Sequence, residues 1–259
     1  MNRPMHLLLI ILAFVTQANA QLPNSQEPKQ PWVVKGITPA DNDYKLLSES
    51  LVAGRKRIDQ FFGKSFVRPF EVEVFPSRAK FDEYFTGRWK VPKTQSWMVA
   101  SGVGDKLTIL SRDVWKTQAG EHNPRDDVHF RELIAHEMVH VYHGQHNPTQ
   151  DFDGMDDLGW FVEGLAVYVS GQLEESHRQA AHDAVRLGKA PTSLAQAWSG
   201  RYRYGVCGSM VRYLDQKFGR DKLIKLLAVT KPEQAMKILQ TTEKEFLDGW
   251  LSDVKAQSK

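Results

Sequence analysis

The stretch His136-Glu137-Met138-Val139-His140 is the strongest indication of fold and function in this sequence. Two histidines four residues apart lie one turn apart on the same face of an α-helix, so one divalent metal ion can contact both side chains. Glu137 lies beside that face, where its carboxylate can take a proton from a metal-bound water. A match of only five residues also occurs by chance in unrelated helices. The alternative interpretation is therefore a polar patch on an amphipathic helix.

The residues around this motif predict the helix that carries it. Asn123-Pro124 would begin the helix, with proline at its first position and Asp126 and Asp127 in its first turn. Gly144 would end it, because glycine readily adopts the left-handed conformation that often follows a helix.

A second block, Trp160 to Val169, supplies the candidate for a third metal ligand. Its sequence, WFVEGLAVYV, contains a single charged residue, Glu163. A carboxylate in so apolar a helix is costly to bury unless a cation compensates it. A zinc ion held by the two histidines would offset that cost and complete a site with three protein ligands and one position for water. The alternative is an ion pair between Glu163 and an arginine such as Arg131 or Arg212.

These blocks resemble a known family. The HEMVH motif, followed by Trp-x-x-Glu-Gly-x-Ala-x-Tyr over residues 160–168, resembles the gluzincin zinc metallopeptidases, especially the small peptidase MA-like branch. The stretch from Tyr204 to Leu214, YGVCGSMVRYL, is similar to the helix that follows the metal site in that branch. The resemblance extends from about Asp41 to the end of the chain, although its specific part consists of three short blocks.

This resemblance implies an α+β fold with a thermolysin-like zincin core, a small mixed α/β N-terminal lobe and a helical C-terminal lobe. The ligands of Zn²⁺ that it implies are His136, His140 and Glu163. It further implies that Glu137 is the general base and that Tyr204 is the phenol that stabilises the oxyanion of the tetrahedral intermediate. Tyr168 and Tyr202 are near Tyr204 in the sequence and are alternatives for that role.

Two departures from relatives narrow the expected activity. Thermolysin has an aspartate four residues after its ligand glutamate, where this chain has Val167, so another group must orient the metal-binding histidine. Aminopeptidase N relatives hold the substrate amine with the glutamate of a Gly-Ala-Met-Glu-Asn segment, and the comparable residues 100–104 contain no acid. The sequence therefore favours an endopeptidase, with Lys106 to Leu110 as the strand edge that pairs with an extended substrate.

His146 is the rival for the third ligand. It follows His136 by ten residues, which is the spacing of the third histidine in metzincins. That motif requires glycine at the position of His143, so that the chain can turn back to the metal, and Gly144 comes one residue too late. The sequence therefore favours Glu163.

The first twenty residues are predicted to be a secretory signal peptide. Arg3 supplies the positive start, Leu7 to Val15 is an unbroken apolar run, and residues 18–20 form a small-x-small cleavage site. The apolar run is too short to cross a bilayer comfortably. We therefore expect a periplasmic or extracellular protein with no stable membrane association once the signal peptide is removed.

The remaining chain is divided into an extended, proline-rich leader over residues 21–40 and a single zincin-like metallopeptidase domain over residues 41–259. Hydrophobic periodicity predicts helices over 41–62 and 77–85, and strands over 32–34, 70–75 and 106–110. From Asp126 onward, long helical patterns dominate, and Thr242 and Glu245 form a capping box for the last helix. This order of elements favours the α+β class.

Composition excludes several functional classes. Lys and Arg total 34 against 31 Asp and Glu, and a net charge of +3 is too small to indicate nucleic acid as a partner. A hydrophobic content of 41% and a charged content of 25% are ordinary for a globular protein. The single cysteine, Cys207, permits no internal disulfide and is expected to be a buried thiol.

The predicted function is a zinc-dependent hydrolase that cleaves peptide bonds in a peptide or protein substrate. One alternative is a non-catalytic peptide-binding module on the same fold, although the intact Glu137 counts against it. Another is a metallohydrolase of a non-peptide amide. The sequence gives no signal for an oligomeric state. The loop that follows the motif is either a solvated acidic loop or a calcium site, and its acidic residues are Asp151, Asp153, Asp156 and Asp157.

Overall fold

The computed structural model of the protein describes residues 30–91, 93–120 and 122–257. The predicted signal peptide and residues 21–29 of the predicted leader lie outside the described residues. The sheet comes from the first half of the chain and the second half is helical, which confirms the α+β class. No helix in the described part of the chain is long and apolar enough to cross a membrane.

The four strands of the sheet follow the order β1-β2-β4-β3. They are β1 (Trp32–Lys35), β2 (Phe70–Phe75), β3 (Ala100–Val103) and β4 (Lys106–Leu110). The pairs β1–β2 and β2–β4 are parallel, and β3 and β4 form an antiparallel hairpin. The bounds of β2 and β4 agree with the prediction, whereas β3 was not predicted as a strand.

The α-helices of the described residues alternate with the first strands and form the second half of the chain. They are α1 (Tyr44–Phe62), α2 (Arg78–Trp89), α3 (Trp115–Gln118), α4 (Asp127–His146), α5 (Gly159–Ser170), α6 (Glu175–Arg186), α7 (Leu194–Ala197), α8 (Arg203–Phe218), α9 (Arg220–Lys225), α10 (Pro232–Leu239) and α11 (Glu243–Gln257). Short 3-10 helices cover Arg112–Val114, Asp156–Leu158 and Leu226–Ala228.

The helix that carries the HEMVH motif, α4, begins and ends later than predicted. Pro124 lies before the helix, and the cap is Asp126, whose side chain accepts a hydrogen bond from the backbone N–H of His129. Gly144 does not end the helix. A Cβ at this position would lie 2.7 Å from the backbone nitrogen of Gly104, so the glycine allows α4 to contact the β3–β4 turn.

The capping box predicted for the last helix is confirmed. The backbone N–H of Glu245 donates to the Thr242 hydroxyl at 3.2 Å, and the Glu245 carboxylate accepts from the backbone N–H of Thr242 at 2.9 Å. Phe246 and Trp250, on the following turns, are buried.

The expectation that Lys106 to Leu110 forms the free edge of the sheet is wrong. This strand, β4, is paired on both sides, because Leu107 lies opposite Val72 of β2 and Gly102 of β3. The edge strands are β1 and β3, and Gly102 brings β3 against α4. A Cβ at Gly102 would lie 2.1 Å from the carbonyl oxygen of Glu137, so only glycine permits this contact.

The packing of α4 and α5 places the two sequence blocks together. Every residue of α4 from Ile134 to Gln145 is buried. Helix α4 packs against α1, β3 and α5, and α5 packs against α8. A Cβ at Gly164 would lie 2.4 Å from the carbonyl oxygen of Cys207, so the close approach of α5 and α8 depends on this glycine.

Candidate metal centre and its cleft

Three side chains from α4 and α5 converge on one point. The Nε2 atoms of His136 and His140 lie 3.0 Å apart. The Oε2 atom of Glu163 lies 3.4 Å from Nε2 of His136 and 3.6 Å from Nε2 of His140. Among the described residues, this is the only group of three or more His, Cys, Asp or Glu side chains whose ligand atoms are close enough to share a metal ion.

These separations suit a small divalent ion. Ligands about 2.0–2.2 Å from a tetrahedral centre stand about 3.3–3.6 Å from one another, close to the spacing of the three atoms here. Two imidazole nitrogens and a carboxylate oxygen are also a donor set that first-row divalent metals accept. These three side chains, the metal-binding group, can therefore bind a metal ion.

The charge of Glu163 is stabilised by the two histidines. Burial alone would raise the pKa of this carboxyl, but His140 and His136 outweigh that effect and hold its pKa well below its usual range. A carboxylate that stays ionised in a half-buried position is prepared to receive a cation.

Glu163 does not form an ion pair with Arg131 or Arg212. Arg131 instead contacts Glu49 at 2.9 Å, and Arg212 contacts Asp253 at 3.4 Å. The carboxylate of Glu163 is thus free to face the histidines.

Glu137 lies beside the metal-binding group with 7% of its surface exposed. Burial raises its pKa to about 7, against the lowering effect of His136; Glu163 adds to the increase, and a hydrogen bond from the backbone of Gly102 opposes it. A carboxyl group with a pKa near neutrality can both accept and release a proton under physiological conditions.

Gln172, just after α5, orients one of the histidines. Its Oε1 lies 2.7 Å from Nδ1 of His136. When the amide oxygen accepts, Nδ1 carries the proton and Nε2 is left for a metal. Gln172 therefore supplies the orienting group that Val167 cannot. The sequence did not reveal it, because it is 36 residues from His136 and belongs to no motif.

The three candidate tyrosines differ in position. Tyr204 lines the cleft beside His136 and Glu137. Burial raises its pKa to about 12, so its hydroxyl remains protonated and can donate a hydrogen bond. Tyr168 instead donates to Asp215 at 3.0 Å, and Tyr202 lines a separate cavity.

His146 does not join the metal-binding group. Its Nδ1 lies 2.8 Å from the backbone carbonyl oxygen of Tyr142, and its ring packs on the Tyr142 ring with centroids 4.3 Å apart. The acidic loop also contributes no metal site of its own within the described residues, although Asp151 and Asp156 line the cleft.

The metal-binding group opens onto two cavities that share part of their walls. The larger has a volume of ≈ 750 Å³ and follows β3 from the metal-binding group towards α2 and the acidic loop. The smaller has a volume of ≈ 420 Å³ and lies on the side of α8. Both are lined by Trp97, Met98, Ala100, His136, Glu137 and Tyr204.

Several cleft residues carried no recognisable signal in the sequence. They are Trp97, His122, Gln172, His177 and Arg203, which come from separate segments. His129 lies about two turns before His136 on the same face of α4 and also lines the smaller cavity. Cys207 is a buried free thiol as predicted, and burial raises its pKa.

No protein-family model matches this sequence, and no curated protein matches it. The functional assignment therefore depends on the geometry of the cleft.

Proposed function

We propose that the protein is a zinc-dependent hydrolase that cleaves peptide bonds, with a thermolysin-like core of the gluzincin type. The observation that carries the proposal is the convergence of His136, His140 and Glu163 beside a buried glutamate, Glu137, at the wall of an open cleft. A site with three protein ligands leaves one position for water, which is typical of catalytic rather than structural zinc.

Zinc is the metal that this arrangement suits best, because two imidazoles and one carboxylate in a tetrahedral spacing form a known catalytic zinc set. When bound, the ion would polarise the scissile carbonyl and lower the pKa of its water to about 7. His136, His140 and Glu163 would hold it, and Gln172 would keep His136 in the tautomer that coordinates through Nε2.

The protein's own groups would then move the protons. Glu137 would accept a proton from the attacking water at its carboxylate and pass it to the nitrogen of the leaving amine. The hydroxyl of Tyr204 would donate a hydrogen bond to the carbonyl oxygen as negative charge develops on it.

The shape of the cleft favours a peptide substrate. The larger cavity runs along β3, one of the two edge strands, where an extended peptide can add its backbone to the sheet. Residues 100–104 contain no carboxylate that would hold a free amine, which favours an endopeptidase.

Metal content and cleavage of an unfolded protein test the proposal together. We expect the purified protein to contain one zinc ion, to cleave denatured casein, to lose activity with 1,10-phenanthroline and to regain it with added zinc. Bound metal without cleavage, but with saturable peptide binding, would instead support a peptide-binding module. Metal-dependent cleavage of cell-wall amides but not of casein would support the non-peptide alternative.

A further inference from the structure

The smaller cavity differs from the larger one in its charge. Glu137 is the only carboxylate among the described residues that line it. The other polar side chains of this wall, apart from His136, are His122, His129, Gln172, His177, Arg203 and Tyr204. The larger cavity, by contrast, is also lined by Asp151, Asp156 and Glu163.

Arg203 gives the smaller cavity its permanent positive charge. The guanidinium carbon lies 5.4 Å from the ring centroid of Trp97 and 5.2 Å from those of Trp198 and Tyr204. No described Asp or Glu forms an ion pair with Arg203, and its Nε atom is buried without a hydrogen-bond partner. A guanidinium stays charged at all physiological pH values, and in this partly desolvated setting a planar anion would stabilise it.

The three histidines of the same wall are held by hydrogen bonds. Nε2 of His122 lies 2.7 Å from the carbonyl oxygen of Trp97, and Nδ1 of His122 lies 3.2 Å from Nε2 of His129. Nδ1 of His177 lies 2.5 Å from the carbonyl oxygen of Gln172. Within the described residues these rings form no group whose ligand atoms could share a metal ion, and Arg203 is the permanent cation of this wall.

We propose that the smaller cavity is a subsite for a carboxylate of the substrate, with Arg203 as its charged partner. The inference rests on the proposed function, since it assigns a substrate class to the same cleft. The cavity shares Glu137 and Tyr204 with the larger one, so a carboxylate bound there would lie close to the bond being cleaved. Either an acidic side chain or a free C-terminus supplies this group.

Peptide binding to the variant Glu137→Gln, in which turnover is expected to be lost, tests the subsite without requiring cleavage. One set of acetylated, amidated peptides carries Glu or Gln at each position in turn, and a second set ends in a free carboxylate or an amide. Calorimetry with and without added zinc gives the Kd of each pair. We expect the acidic member of one set to bind about tenfold more tightly, because hydrogen bonds to charged groups are stronger than neutral ones.

The same pairs are then measured with a second substitution at Arg203. Arg203→Gln should remove the acid preference. Arg203→Lys should retain part of it, because lysine keeps the positive charge but lacks the paired N–H donors of the planar guanidinium. Arg201→Gln is the matched control, since Arg201 is exposed and lies over Tyr202 in a different cavity. Far-UV circular dichroism and thermal unfolding confirm that each variant is folded.

Equal Kd values for acid and amide peptides in both sets would overturn the proposal, as would an acid preference that persists in a folded Arg203→Gln variant. The set that shows the preference identifies its source as a side chain or a C-terminus. Failure of the proposed function gives a different result. An acid preference that depends on Arg203, in a protein that cleaves no peptide, would support the subsite and rule out peptidase activity.

Discussion

From the sequence, Glu163 and His146 are the two candidates for the third metal ligand. In the structure, Glu163 faces both motif histidines, whereas the His146 ring packs on Tyr142. We expect Glu163→Ala to lose bound zinc, because one of three ligands is removed, and His146→Ala to retain it. Zinc content measured by mass spectrometry after gel filtration decides between them; an empty site in His146→Ala with a full site in Glu163→Ala would reverse the assignment.

Gln172 is expected to affect metal binding indirectly, through its hydrogen bond to His136. Replacing it by Leu removes the acceptor at Nδ1 of His136, and loss of such an orienting hydrogen bond typically costs about 10–100-fold in metal affinity. Competition with a chromogenic chelator measures this change. Gln179→Leu is the control, because Gln179 is exposed and its side-chain amide donates a hydrogen bond to Asp183, away from the histidines. Equal zinc affinity in the Gln172 and Gln179 variants would show that Gln172 does not orient the ligand.

Tyr204 is expected to act on the transition state. Tyr204→Phe should lower kcat by about 10²–10³-fold, the effect of removing one oxyanion donor, while KM changes little. Tyr202→Phe should leave both constants unchanged, since its ring lines another cavity. Steady-state kinetics on a fluorogenic peptide separate the two effects, and an unchanged kcat in Tyr204→Phe would remove this role.

At the scale of whole elements, the close contact of α5 with α8 determines where Glu163 lies. Gly164→Ala would place a Cβ 2.4 Å from the Cys207 carbonyl oxygen, so one of the two helices must shift. We expect a loss of about 1–3 kcal/mol in the free energy of unfolding, together with weaker zinc binding. Urea denaturation and a zinc titration measure the two quantities.

The control for this substitution is another helical glycine. A Cβ at Gly87 of α2 would meet no atom within 4 Å, so Gly87→Ala should be neutral or stabilising. Similar stability losses in the two variants, or normal stability in Gly164→Ala, would mean that the α5–α8 contact tolerates a larger side chain.

Elements with strong local signals were predicted well from the sequence. Alternating apolar residues marked β2, and the reciprocal capping residues Thr242 and Glu245 marked the start of α11. The strand β3 was missed because its sequence, Ala-Ser-Gly-Val, has little β-propensity. Its position at the sheet edge follows from pairing with β4 and from the contact of Gly102 with α4, which no local pattern encodes.

At the scale of the whole molecule, two short blocks were sufficient to predict the metal-binding group, because helical periodicity and the cost of a buried carboxylate identify the ligands. The rest of the cleft is assembled from distant segments. His122 lies in the segment before α4, His177 in α6 and Arg203 in α8, and these segments come together at one cavity. Single histidines and arginines carry no sequence signal of such an arrangement. The sequence therefore predicted the grouping of His136, His140 and Glu163 better than the residues of the cleft around it.

If Glu137 is the general base of a zinc hydrolase, the variant Glu137→Gln should separate zinc binding from turnover. The substitution keeps the size of the side chain but removes the group that accepts a proton. We predict that this variant keeps one bound zinc ion while kcat on a peptide substrate falls by at least about 10²-fold. Full activity with zinc still bound would contradict the mechanism.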